Sequence, residues 1–149
     1  MLGEINYSDR TEGKAQMDTT MTEIERQLLA DLENPDWWLT VTAAADPRAT
    51  ERVLLQALRH PDEKIRLAVI KNWATTERVL LVALQDPSSW VREGAAMHAN
   101  ATEAVLLVAM QDMSKWVRQA AVTNPNATER VKALGMQDED PWVRENTSL

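Results

Sequence analysis

The chain has 149 residues with 16 Lys and Arg against 23 Asp and Glu, a formal net charge of -7, no cysteine, 2 histidines and 6 tryptophans. That length suits a single domain, and no apolar run is long enough to span a bilayer. The missing cysteines exclude disulfides, thiolate zinc sites, iron–sulfur ligation and thiol catalysis.

The charge is unevenly placed. Residues 1–48 hold 10 acidic and 4 basic side chains, net -6, and residues 49–149 hold 13 and 12, net -1. Residues 1–21 are polar, with Gly3, Ser8, Thr11, Gly13 and Asp18 and no helical apolar periodicity, so a polar N-terminal tail is expected there. The opening stretch MLGEINYSDRTEGK lacks the basic start and apolar middle of a signal peptide, which sets the expected location as cytoplasmic.

From residue 22 onward the chain repeats itself at an interval of 26 residues. The clearest copy is TERVLLVALQDPSSWVREGAAMHANA from Thr76. It returns as TERVLLQALRHPDEKIRLAVIKNWAT from Thr50, TEAVLLVAMQDMSKWVRQAAVTNPNA from Thr102 and TERVKALGMQDEDPWVRENTSL from Thr128, with a weaker copy before Thr50. The repeats are read as 22–49, 50–75, 76–101, 102–127 and 128–149. Such a period is the mark of a stack in which each unit contacts only its neighbours.

Aligned in this register, the columns acquire physical content. Thr50, Thr76, Thr102 and Thr128 are N-cap residues for a first helix, followed by Glu51, Glu77, Glu103 and Glu129, whose charge suits the positive end of the helix dipole. In the first copy Thr22-Glu23-Ile24-Glu25 has the form of a capping box, in which Glu25 would reach back to the Thr22 backbone. Asp36, Asp62, Ser88, Ser114 and Asp140 are N-caps for a second helix, with Pro141 at the favoured first position after Asp140.

Val53, Leu54, Ala57 and Leu58, and again Val79, Leu80, Ala83 and Leu84, fall on one helical face. Leu39, Ile65, Val91, Val117 and Val143 are the expected anchors of the second helices. Small residues mark close approach: Ala57, Ala83, Ala109 and Gly135 in one column, Ala68, Gly94 and Ala120 in another. Gly costs roughly 1 kcal/mol against Ala within a helix, so Gly94 and Gly135 answer a steric demand. Both helices are expected to be about 9 to 11 residues long, too short to stand alone in water, and therefore held by stacking. Gln27, Asp31, Lys132 and the run Asn146-Thr147-Ser148 put polar residues in the outermost copies, as an open stack requires.

Two columns could carry function. Asp86 precedes Arg92, Asp112 precedes Arg118 and Asp138 precedes Arg144, each by six positions, and His60 before Arg66 is a variant. Arg66, Arg92, Arg118 and Arg144 form either a ladder of phosphate contacts or a structural ladder answering the Asp of the same or a neighbouring repeat. Trp38, Trp90, Trp116 and Trp142 form the other column, interrupted by Lys64 and accompanied by Trp37. These rings either fill the groove between layers or anchor a partner.

The apolar-Arg pair six residues after Asp resembles HEAT repeats, and the short period with the phrase NPNATERV from Asn124 resembles the leucine-rich repeat variant family. The likeness covers residues 22–149. It implies an all-α, right-handed α-solenoid of about five two-helix repeats, a scaffold for macromolecular contacts. The first copy departs from the pattern with Asn34 and Thr40 in the Asp and Arg columns. The cysteine-bearing iron–sulfur segment found beside some variant-type repeats is missing too, so that cofactor is not carried over.

His60 and His98 occupy different columns and no nucleophile and base recur together, so no enzyme and no catalytic, cofactor or metal residues are expected. The glycosylation patterns at Asn100, Asn126 and Asn146 are discounted for want of a signal peptide. The expected function is a non-enzymatic protein–protein interaction scaffold. Its candidate contact residues are Trp38, Trp90, Trp116, Trp142, Glu93, Met97, Gln119 and Thr123. The alternative is a nucleic-acid binder using the Arg and Trp columns, which would resemble HEAT-like alkylpurine DNA glycosylases in architecture only and which the near-neutral repeats argue against. The pattern is compatible with a single chain and names no particular partner protein.

Overall fold

The computed structural model describes residues 21–148. The expected polar tail, apart from Met21, lies outside these residues, as does Leu149. The described residues form ten α-helices and no strand: α1 Glu23–Leu32, α2 Trp37–Ala45, α3 Glu51–Ala57, α4 Glu63–Ile70, α5 Glu77–Ala83, α6 Ser89–Met97, α7 Glu103–Ala109, α8 Lys115–Thr123, α9 Glu129–Met136 and α10 Pro141–Glu145. Each first helix starts where a Thr hydroxyl accepts a backbone N–H three residues on, as Thr76 does from Val79 at 3.4 Å. Each second helix starts at Asp36, Asp62, Ser88, Ser114 or Asp140, and all of these except Ser114 accept a side-chain capping bond.

Several helices are shorter than the repeat pattern suggests. α3, α5 and α7 have 7 residues each and α10 only 5. The physical cause is a tight turn that closes the first helix early. The Arg59 and His60 N–H groups bond to the carbonyls of Gln56 and Ala57 at 3.0 and 3.1 Å, three residues back instead of four. Pro61 then biases the residue before it toward extended backbone. No non-glycine residue among those described has positive φ, so these turns are made without left-handed backbone.

The helices pack in two rows. Within each pair the two helices touch, and each odd-numbered helix also packs on the next odd-numbered one and each even on the next even. Among the described residues no helix packs substantially on anything beyond the adjoining pair. The even row is the more closely packed of the two. The core runs between the rows as Val53, Leu54, Val79, Leu80, Val105, Leu106 and Val131 from the odd helices, facing Ile65, Val91, Val117 and Val143 from the even ones, all fully buried.

Leu39 departs from its expected role as an anchor and is 37% exposed. Among the described residues α2 has an even-row neighbour on one side only, α4, whereas α4, α6 and α8 are flanked on both sides. In α2 the buried positions are Thr40, Ala43 and Ala44 instead. At the other end Thr147 is buried in a core column, and its hydroxyl donates to the Val143 carbonyl at 2.8 Å. It is thus a satisfied core residue and not part of a polar outer face.

The glycines do answer a steric demand. A Cβ on Gly94 would lie 2.7 Å from Ile70 Cγ2, and one on Gly135 would run into Val122 and Thr147. Both are places where consecutive even helices, or α9 and the second row, approach too closely for a methyl group.

Candidate interaction surface

Three members of the Arg column are largely covered and fully engaged: Arg66 and Arg118 are buried, Arg92 is half-buried, and the partner of each is the Asp of the next repeat. Arg66 Nε and Nη2 donate to Asp86 Oδ2 and Oδ1 at 2.7 and 3.1 Å. Arg92 does the same to Asp112 at 2.8 and 3.2 Å, and Arg118 to Asp138 at 2.8 and 3.0 Å. The third nitrogen, Nη1, donates to two carbonyls at the turn of its own repeat, for Arg118 those of Asp112 and Met113 at 2.9 and 3.3 Å. This two-pronged geometry is the one a guanidinium supplies best.

The hydrogen bonds to Asp86 and Asp138 hold Arg66 and Arg118 charged even more firmly than usual. Burial pushes the Asp138 carboxyl up. It is outweighed by hydrogen bonds from Arg118 and the Asp140 N–H and by the nearby charge of Arg118 and Arg144, so Asp138 sits below the ordinary value of 3.8.

The twenty-residue reach from Arg to Asp also explains the irregular first copies. A ladder pair joining the first and second repeats would connect positions 40 and 60, and these hold Thr40 and His60. With no guanidinium at 40, an Asp at 60 would be a half-buried carboxylate without a partner. His60 keeps the other duty of that column, accepting the Asp62 N–H on Nδ1 at 3.0 Å, as Asp86 Oδ1 accepts from Ser88 at 2.8 Å. The Thr40 hydroxyl lies 3.0 Å from the Asn34 carbonyl, the acceptor six residues back that Arg Nη1 uses elsewhere, and 3.3 and 3.1 Å from those of Asp31 and Asp36, so its single proton serves this turn. Arg144, in the fifth repeat, bonds the carbonyls of Asp138 and Glu139 at 2.6 and 3.0 Å and is exposed, without a carboxylate partner among the described residues.

Three further sets of contacts join the repeats. Thr50, Thr76, Thr102 and Thr128 donate their hydroxyls to Glu25, Glu51, Glu77 and Glu103 of the preceding repeat at 2.5 to 2.7 Å. Glu25 therefore points to Thr50 instead of reaching back to Thr22. The hydrogen bond from Thr76, with help from Arg78, holds Glu51 below its ordinary value of 4.5.

In the even row, the first residue of one helix touches the N-cap of the next. Trp37 Nε1 donates to Asp62 Oδ2 at 3.1 Å, Ser88 donates to Glu63, and Lys115 Nζ lies 3.5 Å from Asp140 Oδ2. Ser89 faces Ser114 in this series, and no such contact forms.

At the loops, Asn72 and Asn124 donate to carbonyls of the preceding repeat, Asn124 to Ala96 and His98 at 2.8 and 3.1 Å. Asn100 donates to the Trp73 and Thr75 carbonyls and Asn126 to those of Ala99 and Ala101. The carboxamides of the glycosylation-like Asn100 and Asn126 are therefore engaged inside the protein. The signal for these contacts was present as columns spaced 25 to 28 residues apart, but pairing them requires knowing which copies lie side by side.

The tryptophans do not fill the groove between layers. Trp38, Trp90, Trp116 and Trp142 are 65%, 68%, 51% and 45% exposed, Trp37 is 47% exposed and Trp73 is 81% exposed. The reason is angular. Each column Trp directly precedes the anchor of its helix, about 100° round the axis, so burying Val91, Val117 or Val143 turns the indole outward.

On α6, Trp90, Glu93 and Met97 share one face, and on α8 Trp116, Gln119 and Thr123 do so, since residues three and four apart are surface neighbours. Met97 is 62% exposed, Thr123 is exposed, and Glu93 and Gln119 are half-buried. Lys115 Nζ stands 5.4 Å from the centre of the Trp116 ring, within cation–π range. A separate groove of about 350 Å³ opens at the α1 end, lined in part by Ile24, Leu28 and Ala43 with Asp31 and Arg48.

No protein-family model matches the sequence, and no curated protein matches it. Among the described residues no helix is long and apolar enough to cross a membrane. No group of three or more His, Cys, Asp and Glu among them could hold a metal ion.

Proposed function

We propose that the ten helices make a right-handed α-solenoid of five 26-residue repeats, HEAT-like or leucine-rich repeat variant-like, that acts as a non-enzymatic protein-binding scaffold through its even-helix face. The observation that carries this reading is a division of labour. The polar side chains that recur at the repeat interval are engaged between repeats, while the recurring tryptophans stand in solvent. Soluble proteins keep few large apolar groups exposed in a row unless something covers them, and Trp is prominent among residues that dominate interface energetics. The closer packing of the even row supports a curve with that face inside, the usual shape of a solenoid binding surface.

Nucleic-acid binding draws little support from the Arg column. All three nitrogens of Arg66, Arg92 and Arg118 are occupied by protein acceptors. A polyanion would also meet a chain of net charge -7.

The test is affinity capture from source-cell lysate with the intact chain and with the Trp90→Ala/Trp116→Ala variant, each with and without nuclease. A protein retained after nuclease and lost by about fivefold or more on the variant supports the reading, since about 1 kcal/mol marks a significant interface residue. Oligonucleotide binding tighter than roughly 10 μM at physiological salt, abolished by Arg144→Ala, would replace it with the nucleic-acid reading.

A further inference from the structure

Resting on that reading, we infer that the surface over α6, α8 and α10 takes an extended, basic segment of a partner protein, with Lys or Arg side chains laid across Trp90 and Trp142. Trp90 and Glu93 are three residues apart on α6, and Trp142 and Glu145 repeat the arrangement on α10, so each indole has a carboxylate one turn away on the same face. The Glu93 and Glu145 carboxylates take part in no hydrogen bond or ion pair with the described residues, unlike the glutamates of the odd row. An exposed indole face beside an unpaired carboxylate suits a side chain with an apolar stem and a cationic head.

The chain already contains this combination once. Lys115 Nζ lies over the Trp116 ring at 5.4 Å and 3.5 Å from Asp140 Oδ2, a cation placed between an indole and a carboxylate. Its presence occupies the middle rung and leaves the outer two open. Lys64 stands in the Trp column one repeat before Trp90 and, with Lys71 at the other end of α4, repels a cation there. The receptive stretch is thus bounded to the third, fourth and fifth repeats.

The open rungs are two repeats apart, about 16–20 Å for helices packed 8–10 Å apart. An extended chain rises about 3.3 Å per residue. The segment that fits therefore carries its two basic positions roughly five or six residues apart.

The experiment uses the full chain and three fluorescein-labelled twelve-residue peptides at physiological salt: one with two Arg pairs separated by a Ser/Gly spacer of that length, one with Glu in place of Arg, and one with Gln. The expected result in fluorescence anisotropy is binding of the Arg peptide at least tenfold tighter than the other two. Trp90→Ala should weaken it about tenfold, and Glu93→Gln and Glu145→Gln should each weaken it by threefold or more. Glu33→Gln, which removes an equal charge from the far end of the molecule, and Trp73→Ala should leave it unchanged.

Equal binding of the Gln or Glu peptide would overturn the inference, as would Glu93→Gln and Glu145→Gln behaving like Glu33→Gln. All these positions are exposed or half-buried, so a circular dichroism spectrum matching the parent verifies each variant. A captured protein that depends on Trp90 but docks through an acidic or neutral segment would also overturn it and leave the scaffold reading standing. Capture indifferent to the Trp variant would remove both.

Discussion

Replacing Arg118 by Ala tests the ladder where it joins the fourth repeat to the fifth. The side chains of Arg118 and Asp138 are 7% and 5% exposed, and the variant removes both prongs at 2.8 and 3.0 Å together with the bonds to the Asp112 and Met113 carbonyls. Asp138 is left with the Asp140 N–H at 2.9 Å and the more distant charge of Arg144. Leaving one member of a buried pair uncompensated costs about 3 kcal/mol or more. At a urea dependence of about 2 kcal/mol per molar, the midpoint should fall by about 1.5 M.

The loss should centre on the fifth repeat, because among the described residues α9 and α10 pack substantially only on each other and on α7 and α8, and a unit held by such nearest-neighbour contacts can separate alone. Circular dichroism reports the whole chain, and hydrogen exchange in α9 and α10 reports that end. Arg144→Ala is the internal control: Arg144 is exposed and has no carboxylate partner among the described residues, so its cost should stay at about 0.5 kcal/mol, the level of ordinary surface changes. A loss for Arg118→Ala no larger than that of Arg144→Ala would refute the ladder as a source of cohesion.

Three other outcomes are expected. The natural Thr40 and His60 combination implies that Arg66→Thr and Asp86→His each destabilise the protein while the double variant loses clearly less than their sum; a double-mutant cycle showing simple additivity would contradict the pairing. Gly94→Ala should lower stability despite about 1 kcal/mol of gained helix propensity, because the new methyl meets Ile70 Cγ2 at 2.7 Å, and adding Ile70→Ala should remove that clash in calorimetry. Asp138 and Glu51 both sit below their ordinary values of 3.8 and 4.5, so their contribution is complete above those values and is lost as pH falls through the lower folded-state values; urea midpoints should be flat from pH 7 to about 5 and drop below about pH 4, and Asp138→Asn should shrink that drop.

The legible part of this protein was its periodicity. Thr caps at 26-residue spacing, second caps at Asp36 to Asp140 and the apolar faces of Val79, Leu80 and Val91 follow from bonding and hydrophobic preferences that act within a few residues. They imply the helix starts, most of the core and the steric need at Gly94, but not the exposure of Leu39 or the burial of Thr147. What remained hidden were relations between copies.

Arg66 could have answered the Asp of its own repeat or of another. Only the side-by-side packing of α4 with α6 brings Asp86 within 2.7 Å of Arg66, and the packing of α2 with α4 matches His60 to Thr40, where there is no guanidinium. The same packing turns Glu51 toward Thr76 and commits Asn126 to the preceding loop. The fate of the tryptophans was likewise out of reach, since a residue type suited to both groove and surface is assigned by which neighbour wins the inward angle. At Trp90 the neighbour is Val91, fully buried, and the indole is left to the solvent. Local chemistry is written along the chain, whereas the partner of a long polar side chain and the outlook of an aromatic ring depend on which elements are adjacent in space, and that is decided only when the copies pack.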